Sequence, residues 1–341
     1  MKISRKDLPI FMAVGILMLL VTLGLREIAN TPRVYEDYPT GAASGSTLVV
    51  IENGATGEEI GRTLEESGVI AAWQRFFQLA VTDERASRIA PGTYRLQKGI
   101  PVRTALEQLL DLDRIQGLLT LRDGVRLAEV QALLESNGFK EVEEVLDEVR
   151  VPEPFTFDSI EGFLYPAKYS FAPKTSTLEV VNAFLLRFSQ AVQGVDWSSA
   201  PGELSPNQVL TLASLIEAEG TPDVFAKISA VIQNRLKRGM PLQLDSTVHY
   251  IQNSRGNIAL SLKETKIDSP YNTYQRRGLP PGPIGSPTRA AIDAAITPAS
   301  GDWLYFITVA PGETRFTNSY ERFLEWKRLY RENYAKGLFD D

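Results

Sequence analysis

Hydrophobic positions change their period several times along the chain, and each change predicts an element. Leu8 to Leu25 is an uncharged, mostly apolar run of 18 residues, preceded by Lys2, Arg5 and Lys6 and stopped by Arg26. That is long enough to span a bilayer and longer than a signal-peptide core, and no clear small-x-small cleavage site follows closely. It predicts an uncleaved anchor with its basic end in the cytoplasm, a cleaved signal peptide being the alternative. Residues 29–46 have spacer composition. From Thr47 the pattern becomes strand and turn (LVVIENG), then an amphipathic helix ending at Gly68 (TGEEIGRTLEESGVI).

This strand–turn–helix unit recurs. LLTLRDGVRLAEVQALLESNGF (118–139) matches LVVIENGATGEEIGRTLEESGV (48–69), with Gly54 on Gly124, Glu59 on Glu129, Leu64 on Leu134, Glu65 on Glu135 and Gly68 on Gly138. The offset is 124 − 54 = 70 residues. Between the copies, Pro91-Gly92-Thr93-Tyr94 reads as a short strand. Residues 140–158 are acidic and helical until broken by proline, and 177–193 predicts a helix.

The most apolar helix runs from Ser205 to Gly220, SPNQVLTLASLIEAEG. Ser205 can cap it, Pro206 suits the first helical position, and Gln208 completes a capping box. Val209, Leu210, Leu212, Ala213, Leu215 and Ile216 surround it, so it belongs in a core. Thr221-Pro222 is expected to cap the next helix, whose stripe is Phe225, Ile228, Ile232 and Leu236 and which ends at Gly239. An extended stretch with Gln243 and Asp245 follows, Asp245 facing away from Leu242 and Leu244. Seven of the ten residues from Gly278 to Pro287 are Gly or Pro, which predicts a rigid irregular loop. Helix 287–297, strand 303–309 and an amphipathic helix from Ser319 complete the chain.

Composition narrows the chemistry. A chain of 341 residues, 43% hydrophobic and 23% charged, has room for two domains with proper cores. A net charge of −6 argues against nucleic acid as the main partner. Cysteine is absent and His249 is the single histidine, which disfavours thiolate or histidine metal sites and a Ser-His-Asp triad. His249 itself reads as structural. The chemistry is therefore left to carboxylates and hydroxyls.

Two carboxylates, Glu217 and Glu219, stand in the last turn of the apolar helix. They point about 160° apart and cannot act as a facing pair. Glu219 continues the stripe of Leu212, Leu215 and Ile216. Desolvation and the negative end of the helix dipole would both raise its pKa, as a general acid requires. A solvated glutamate at a frayed helix end is the bland alternative, and Glu217 is the second choice for the acid. Asn234, Gln243 and Asp245 could orient an acid, bind sugar hydroxyls, or merely fix turns. Tyr271, Asn272, Thr273 and Tyr274 are residue types that stack on sugars and bond hydroxyls, against a purely structural Pro-Gly corner.

LASLIEAEG, NRLKRGMPLQLDSTVHY (234–250), DSPYNTY (268–274) and GLPPGPI (278–284), in that order and spacing, resemble the signature blocks of the endolytic murein transglycosylases, the MltG or YceG-like family. EGFLYP (161–166) resembles an earlier block, and Pro91–Tyr94 resembles the family's G-T-Y strand. The resemblance implies that Glu219, second of the E-x-E pair, is the catalytic acid/base, with Glu217, Asn234, Gln243, Asp245, Tyr271, Asn272 and Thr273 as substrate-binding candidates. It implies an α+β fold: a transmembrane helix, LysM-like α+β units, and a mainly helical, lysozyme-like catalytic domain with a small sheet. The expected divisions are 1–28 for cytoplasmic tip and anchor, 29–46 for linker, 47–150 for the LysM-like region with its repeat, and 151–341 for the catalytic domain. Two generic α+β units with a structural job are the alternative to LysM-like ones.

The implied activity is that of a cell-membrane lytic transglycosylase with an extracytoplasmic catalytic domain, cutting the MurNAc–GlcNAc bond within peptidoglycan glycan strands to leave 1,6-anhydro-MurNAc ends. No metal or organic cofactor is implied, and peptidoglycan synthases are the implied protein partners. A muramidase-type hydrolase and a non-catalytic peptidoglycan-binding scaffold are the rivals. Three places depart from the family's usual pattern. Asp245-Ser246-Thr247 stands where D-P-T is usual, Ala167-Lys168 follows EGFLYP in place of D-T, and Thr314 and Phe323 occupy places where relatives often carry histidines. The second departure weakens Glu161 and Tyr165 as cleft residues, and packing between domains is the preferred reading there.

Overall fold

The computed structural model describes residue 18 and residues 35–172, 174–255 and 260–339. Apart from Met18, the expected anchor at 8–25 lies outside the described residues, among which no helix is long and apolar enough to cross a membrane. The chain divides into two compact units between Gln116 and Gly117, ahead of the division expected at 150. The second copy of the repeat thus belongs to the second unit.

In the first unit, strands β1 (Ser46–Ile51), β2 (Gly92–Gln97) and β3 (Ile115–Gln116) form an antiparallel sheet in that order. β1 alternates, Val49 and Ile51 buried and Leu48 and Val50 outward. Helices α1 (Gly57–Glu66) and α2 (Trp73–Thr82) lie between β1 and β2 in sequence, and α3 (Val102–Leu110) follows β2. Thr56 and Glu59 form the capping box of α1: the Glu59 amide donates to Thr56 Oγ1 at 3.3 Å, and the Thr56 amide donates to Glu59 Oε2 at 2.7 Å. α2 and α3 were not foreseen. Neither begins with a side-chain cap, since Ala72 and Pro101 stand at their starts.

The second unit opens with β4 (Leu118–Thr120), antiparallel to β5 (Lys168–Ser170), and α4 (Leu127–Ser136). The repeat holds in local structure. Gly124 and Gly138 have φ of 65° and 83°, and Gly54 and Gly68 have 79° and 70°. Leu64 and Leu134 are both fully buried. Glu129 accepts from the Arg126 amide at 2.9 Å, as Glu59 does from Thr56. α5 (Val142–Glu148) is shorter than the acidic stretch suggests, and α6 (Thr177–Ala191) starts at a Ser176–Glu179 capping box.

α7 (Pro206–Glu219) begins at the Ser205–Gln208 capping box, and every residue from Val209 to Ile216 is buried. It packs against α8 (Phe225–Lys237), α9 (Asp245–Ile251) and α10 (Arg289–Ile296). The hairpin β6 (Tyr305–Ala310) and β7 (Glu313–Thr317) and the terminal helix α11 (Tyr320–Ala335), capped by Ser319, complete the unit. The α+β class stands.

Two local expectations are corrected. Thr221 does not cap α8, because its hydroxyl donates to Asp223 and Val224 occupies the cap position. The stretch after Gln243 is helical: Asp245 opens α9, and the alternation of Leu242 and Leu244 ends there.

Candidate active site

Full burial of α7 stops at Ile216; in the last turn Ala218 is exposed while the Glu217 and Glu219 side chains turn inward on opposite sides. Gly220 ends the helix with extended backbone, φ −165°, so what it needs is space. A Cβ at Gly220 would lie 2.3 Å from Ile228 Cδ1 and 3.0 Å from Val224 Cγ2. The bare glycine lets α8 cross close behind Glu219.

Glu219 is half-buried as a residue, and its carboxyl is enclosed. Ser246, in the first turn of α9, donates its hydroxyl to Glu219 Oε1 at 2.5 Å. Burial pushes the carboxyl up to about 7, and the Asp245 charge adds to the rise. The hydrogen bonds from Ser246 and the Arg235 guanidinium pull the other way and do not prevail. A carboxylic acid that keeps its proton near neutral pH can protonate a leaving oxygen.

Three more groups frame this carboxyl. Asp245 is exposed and accepts a hydrogen bond from the Tyr274 hydroxyl, which burial and that carboxylate hold well above the ordinary phenol range. Arg235 is buried in α8, donating from Nε to the Leu304 carbonyl and from Nη1 to the Leu242 carbonyl, both at 2.6 Å. Its guanidinium lies 5.3 Å from the Tyr305 ring centre, and Phe323 stacks on that ring. Phe323, at one place where the resembling family often has histidine, thus packs on the ring that faces Arg235. Thr314, at the other, bonds Thr308 across the β6–β7 hairpin.

Glu217 turns to the other side. Its Oε2 accepts from the Thr288 amide at 2.9 Å and hydroxyl at 2.6 Å. Thr288 is the N-cap of α10, so this carboxylate ties α7 to the start of α10. Burial raises its pKa, Thr288 opposes the rise, and the Asp123 charge adds a smaller increment. The Gly-Pro loop docks beside it. The Ile284 amide donates to Ser214 Oγ at 3.1 Å, and Ser286 exchanges backbone hydrogen bonds with Gly124 and Val125.

The remaining expected site residues divide. Asn234 donates to the Gly301 and Trp303 carbonyls, each at 3.0 Å, and so holds the backbone ahead of β6. Asn272 is fully buried, donates to the Thr265 and Ile267 carbonyls, and accepts from the Tyr274 amide. Thr273 Oγ1 accepts from the Leu244 amide at 2.9 Å and lies 3.0 Å from Thr247 Oγ1. These three side chains are engaged inside the protein and set the frame of the site. Gln243 is exposed at φ 49°, tied by its amide to the Thr273 carbonyl. Tyr271 is half-buried with its ring 5.1 Å from that of Tyr250. The structure thus groups Glu219 with Asp245, Ser246, Tyr274 and Arg235, and sets Glu217 apart.

Glu161 is buried with both oxygens accepting from the Leu127 amide, at 3.1 and 3.2 Å. Burial pushes it up to about 7, against hydrogen bonds from Leu127, Tyr250 and Gly162 and the nearby Arg126 charge. It is an interior joint whose partners all lie within the second unit, where packing between domains was expected. The sequence reading missed Ser246 as a partner of Glu219 and Tyr274 as a partner of Asp245. The one visible signal was a hydroxyl residue between Asp245 and Thr247 where the resembling family usually has proline. Among the described residues no group of three or more His, Asp or Glu side chains could hold a metal ion.

The chain is similar to known proteins over most of its length. Residues 49–328 match the YceG-like family. An endolytic murein transglycosylase of Bacillus subtilis (strain 168) is 31% identical over 302 residues, covering 82% of this chain and 83% of the relative. One from Streptococcus pneumoniae serotype 2 (strain D39) is 30% identical over 310 residues, covering 80% of this chain and 56% of the relative. A 2.6 Å crystal structure of a yceG-like protein from Listeria monocytogenes shares the fold, with a TM-score of 0.56 at 24% identity over 82% of this chain and 98% of that one.

Proposed function

The chain belongs to the YceG-like family, and from that premise we propose that it is an endolytic lytic transglycosylase of peptidoglycan with Glu219 as its acid and base. The observation that carries the assignment is the enclosed Glu219 carboxyl, held up to about 7 beside Ser246 and Asp245. Protonated Glu219 gives its proton to the oxygen leaving between MurNAc and GlcNAc. The resulting carboxylate takes the proton of the same MurNAc residue's C6 hydroxyl as that oxygen bonds to C1. A 1,6-anhydro end forms, and Glu219 regains its proton. The C6 hydroxyl is already tethered, so orientation does the work that a second catalytic carboxylate does in a hydrolase.

One observation favours a hydrolytic second reading. Asp245 lies near enough for its charge to act on Glu219, and a carboxylate so placed could activate water. Its tie to Tyr274 and the transglycosylase names of the relatives weigh against this. Digesting purified glycan strands in ¹⁸O-water separates the two. Anhydro ends without label are expected, label at new reducing ends would mean hydrolysis, and absence of turnover would mean a binding scaffold.

The apolar run at 8–25 supports a tether that keeps the catalytic unit outside the cell membrane. Protease added to spheroplasts should then degrade the chain beyond about residue 30, and protection of the bulk of it would contradict the tether.

A further inference from the structure

We infer that Ser246 is a positioning residue for Glu219, orienting its carboxyl through the hydroxyl hydrogen bond and so setting the upper pH edge of catalysis. The inference rests on Glu219 being the acid. The bond is 2.5 Å long and reaches Oε1 across 27 residues of chain, from the first turn of α9 to the last turn of α7.

Ser246 stands on a helix fixed at both ends. Before it, the Leu244 amide donates to Thr273 Oγ1, while Thr247 Oγ1 donates back to the Leu244 carbonyl at 2.7 Å. Beyond it, Arg126 Nη1 donates to the His249 carbonyl at 3.1 Å and the Ser254 carbonyl at 2.9 Å. A donor on so fixed a support holds its acceptor in one place.

The groups facing Glu219 have different effects. Asp245 on α9 and Tyr274 in the loop beyond it offer negative charge or a hydroxyl already given to Asp245. Arg235 on α8 acts through space, its Nε and Nη1 being bonded to backbone carbonyls. Ser246 donates directly. A hydroxyl donated to a carboxyl oxygen favours the carboxylate, so it lowers the pH at which the acid form disappears. It also steadies the anion that must act as base in the second half of the reaction.

The test is the pH–rate profile of full-length protein on purified glycan strands, for wild type, Ser246→Ala, Ser246→Thr and Ser246→Pro. Removing the donor raises the acid's pKa, so the alkaline limb of Ser246→Ala should move to higher pH by about one pH unit. Ser246→Thr keeps the hydroxyl and should restore the limb. Proline is tolerated in a first helical turn and removes the amide hydrogen as well, so Ser246→Pro should move the limb at least as far as Ala. Ser246→Cys, a weaker donor of similar volume, carries the Ala expectation should Ala fold poorly. An unmoved limb in the donor-free variants, with Glu219→Gln inactive, overturns the inference and leaves the acid assignment standing. Undiminished turnover by Glu219→Gln overturns the acid assignment itself.

Discussion

On one side of the last turn of α7, Glu217 reaches the start of α10 and accepts both the amide and the hydroxyl of Thr288 on a single oxygen. On the other side, Glu219 reaches the start of α9, where a serine hydroxyl meets one oxygen and Asp245 stands beside it. The same side chain, two residues away on the same helix, meets two helix starts of different character. At Thr288 the carboxylate is used up as a tie between helices. At Ser246 the carboxyl is enclosed, meets a hydroxyl at one oxygen, and stands beside a carboxylate that helps burial keep its proton on. Burial raises both pKa values. What separates structural from chemical use is the partner set.

The sharpest way to break this comparison is to neutralise each carboxyl in turn. Glu219→Gln should keep the fold and lose at least about a hundredfold in strand cleavage, the usual worth of a general acid. Glu217→Gln should leave cleavage within a few-fold while costing about 1–3 kcal/mol of stability, because the Thr288 donors lose a charged acceptor. Chemical denaturation beside turnover measures both. If the two variants exchange these properties, the two sides have been read the wrong way round.

Glu161 provides a control of intermediate size, since it too is buried and pushed up to about 7 but is bonded within the interior. Its folded pKa lies above its unfolded value, so the folded state holds extra protons between about pH 4.5 and about pH 7, and stability falls as pH rises through that window. Glu161→Gln should flatten this fall in denaturation midpoint while leaving the alkaline limb of the rate where it was. A displaced limb would mean that Glu161 belongs with the reacting groups.

The smallest expected effect compares the two copies of the repeat. Gly54 and Gly124 share a left-handed backbone, so alanine should cost about 1 kcal/mol or more at either. Nothing lies within 4 Å of a Cβ added at Gly54, whereas one at Gly124 would meet Glu217 Cγ at 3.4 Å. Gly124→Ala should therefore lower the melting temperature at least as much as Gly54→Ala and also slow cleavage slightly. Equal effects on stability with no effect on rate would detach this turn from the Glu217 side.

Much of this was legible in the sequence where local rules govern. The Ser205–Gln208 box, the all-round apolar α7 and the stripe leading to Glu219 depend on periods and caps alone, and they appear as read. α9 was missed because seven residues are too few to show a period, and the alternation of Leu242 and Leu244 imitates a strand. Asn272 and Thr273 were legible as loop residues, but their direction was not. Buried backbone amides and carbonyls around the loop needed partners, and those side chains turned inward to supply them. The repeat was visible residue by residue, yet Thr56 caps an exposed helix start while its counterpart Arg126 is buried and holds the end of α9. Contacts between residues far apart in sequence, such as Ser246 with Glu219, lie beyond any window of periodicity.

The central claim is that burial keeps Glu219 protonated near neutral pH, where it can serve as the acid. The direct measurement is a ¹³C NMR titration of labelled glutamate carboxyls in wild type and Glu219→Gln, the difference isolating the Glu219 signal. A midpoint of about 7 is predicted. A midpoint at the ordinary glutamate value of about 4.3 would contradict the account.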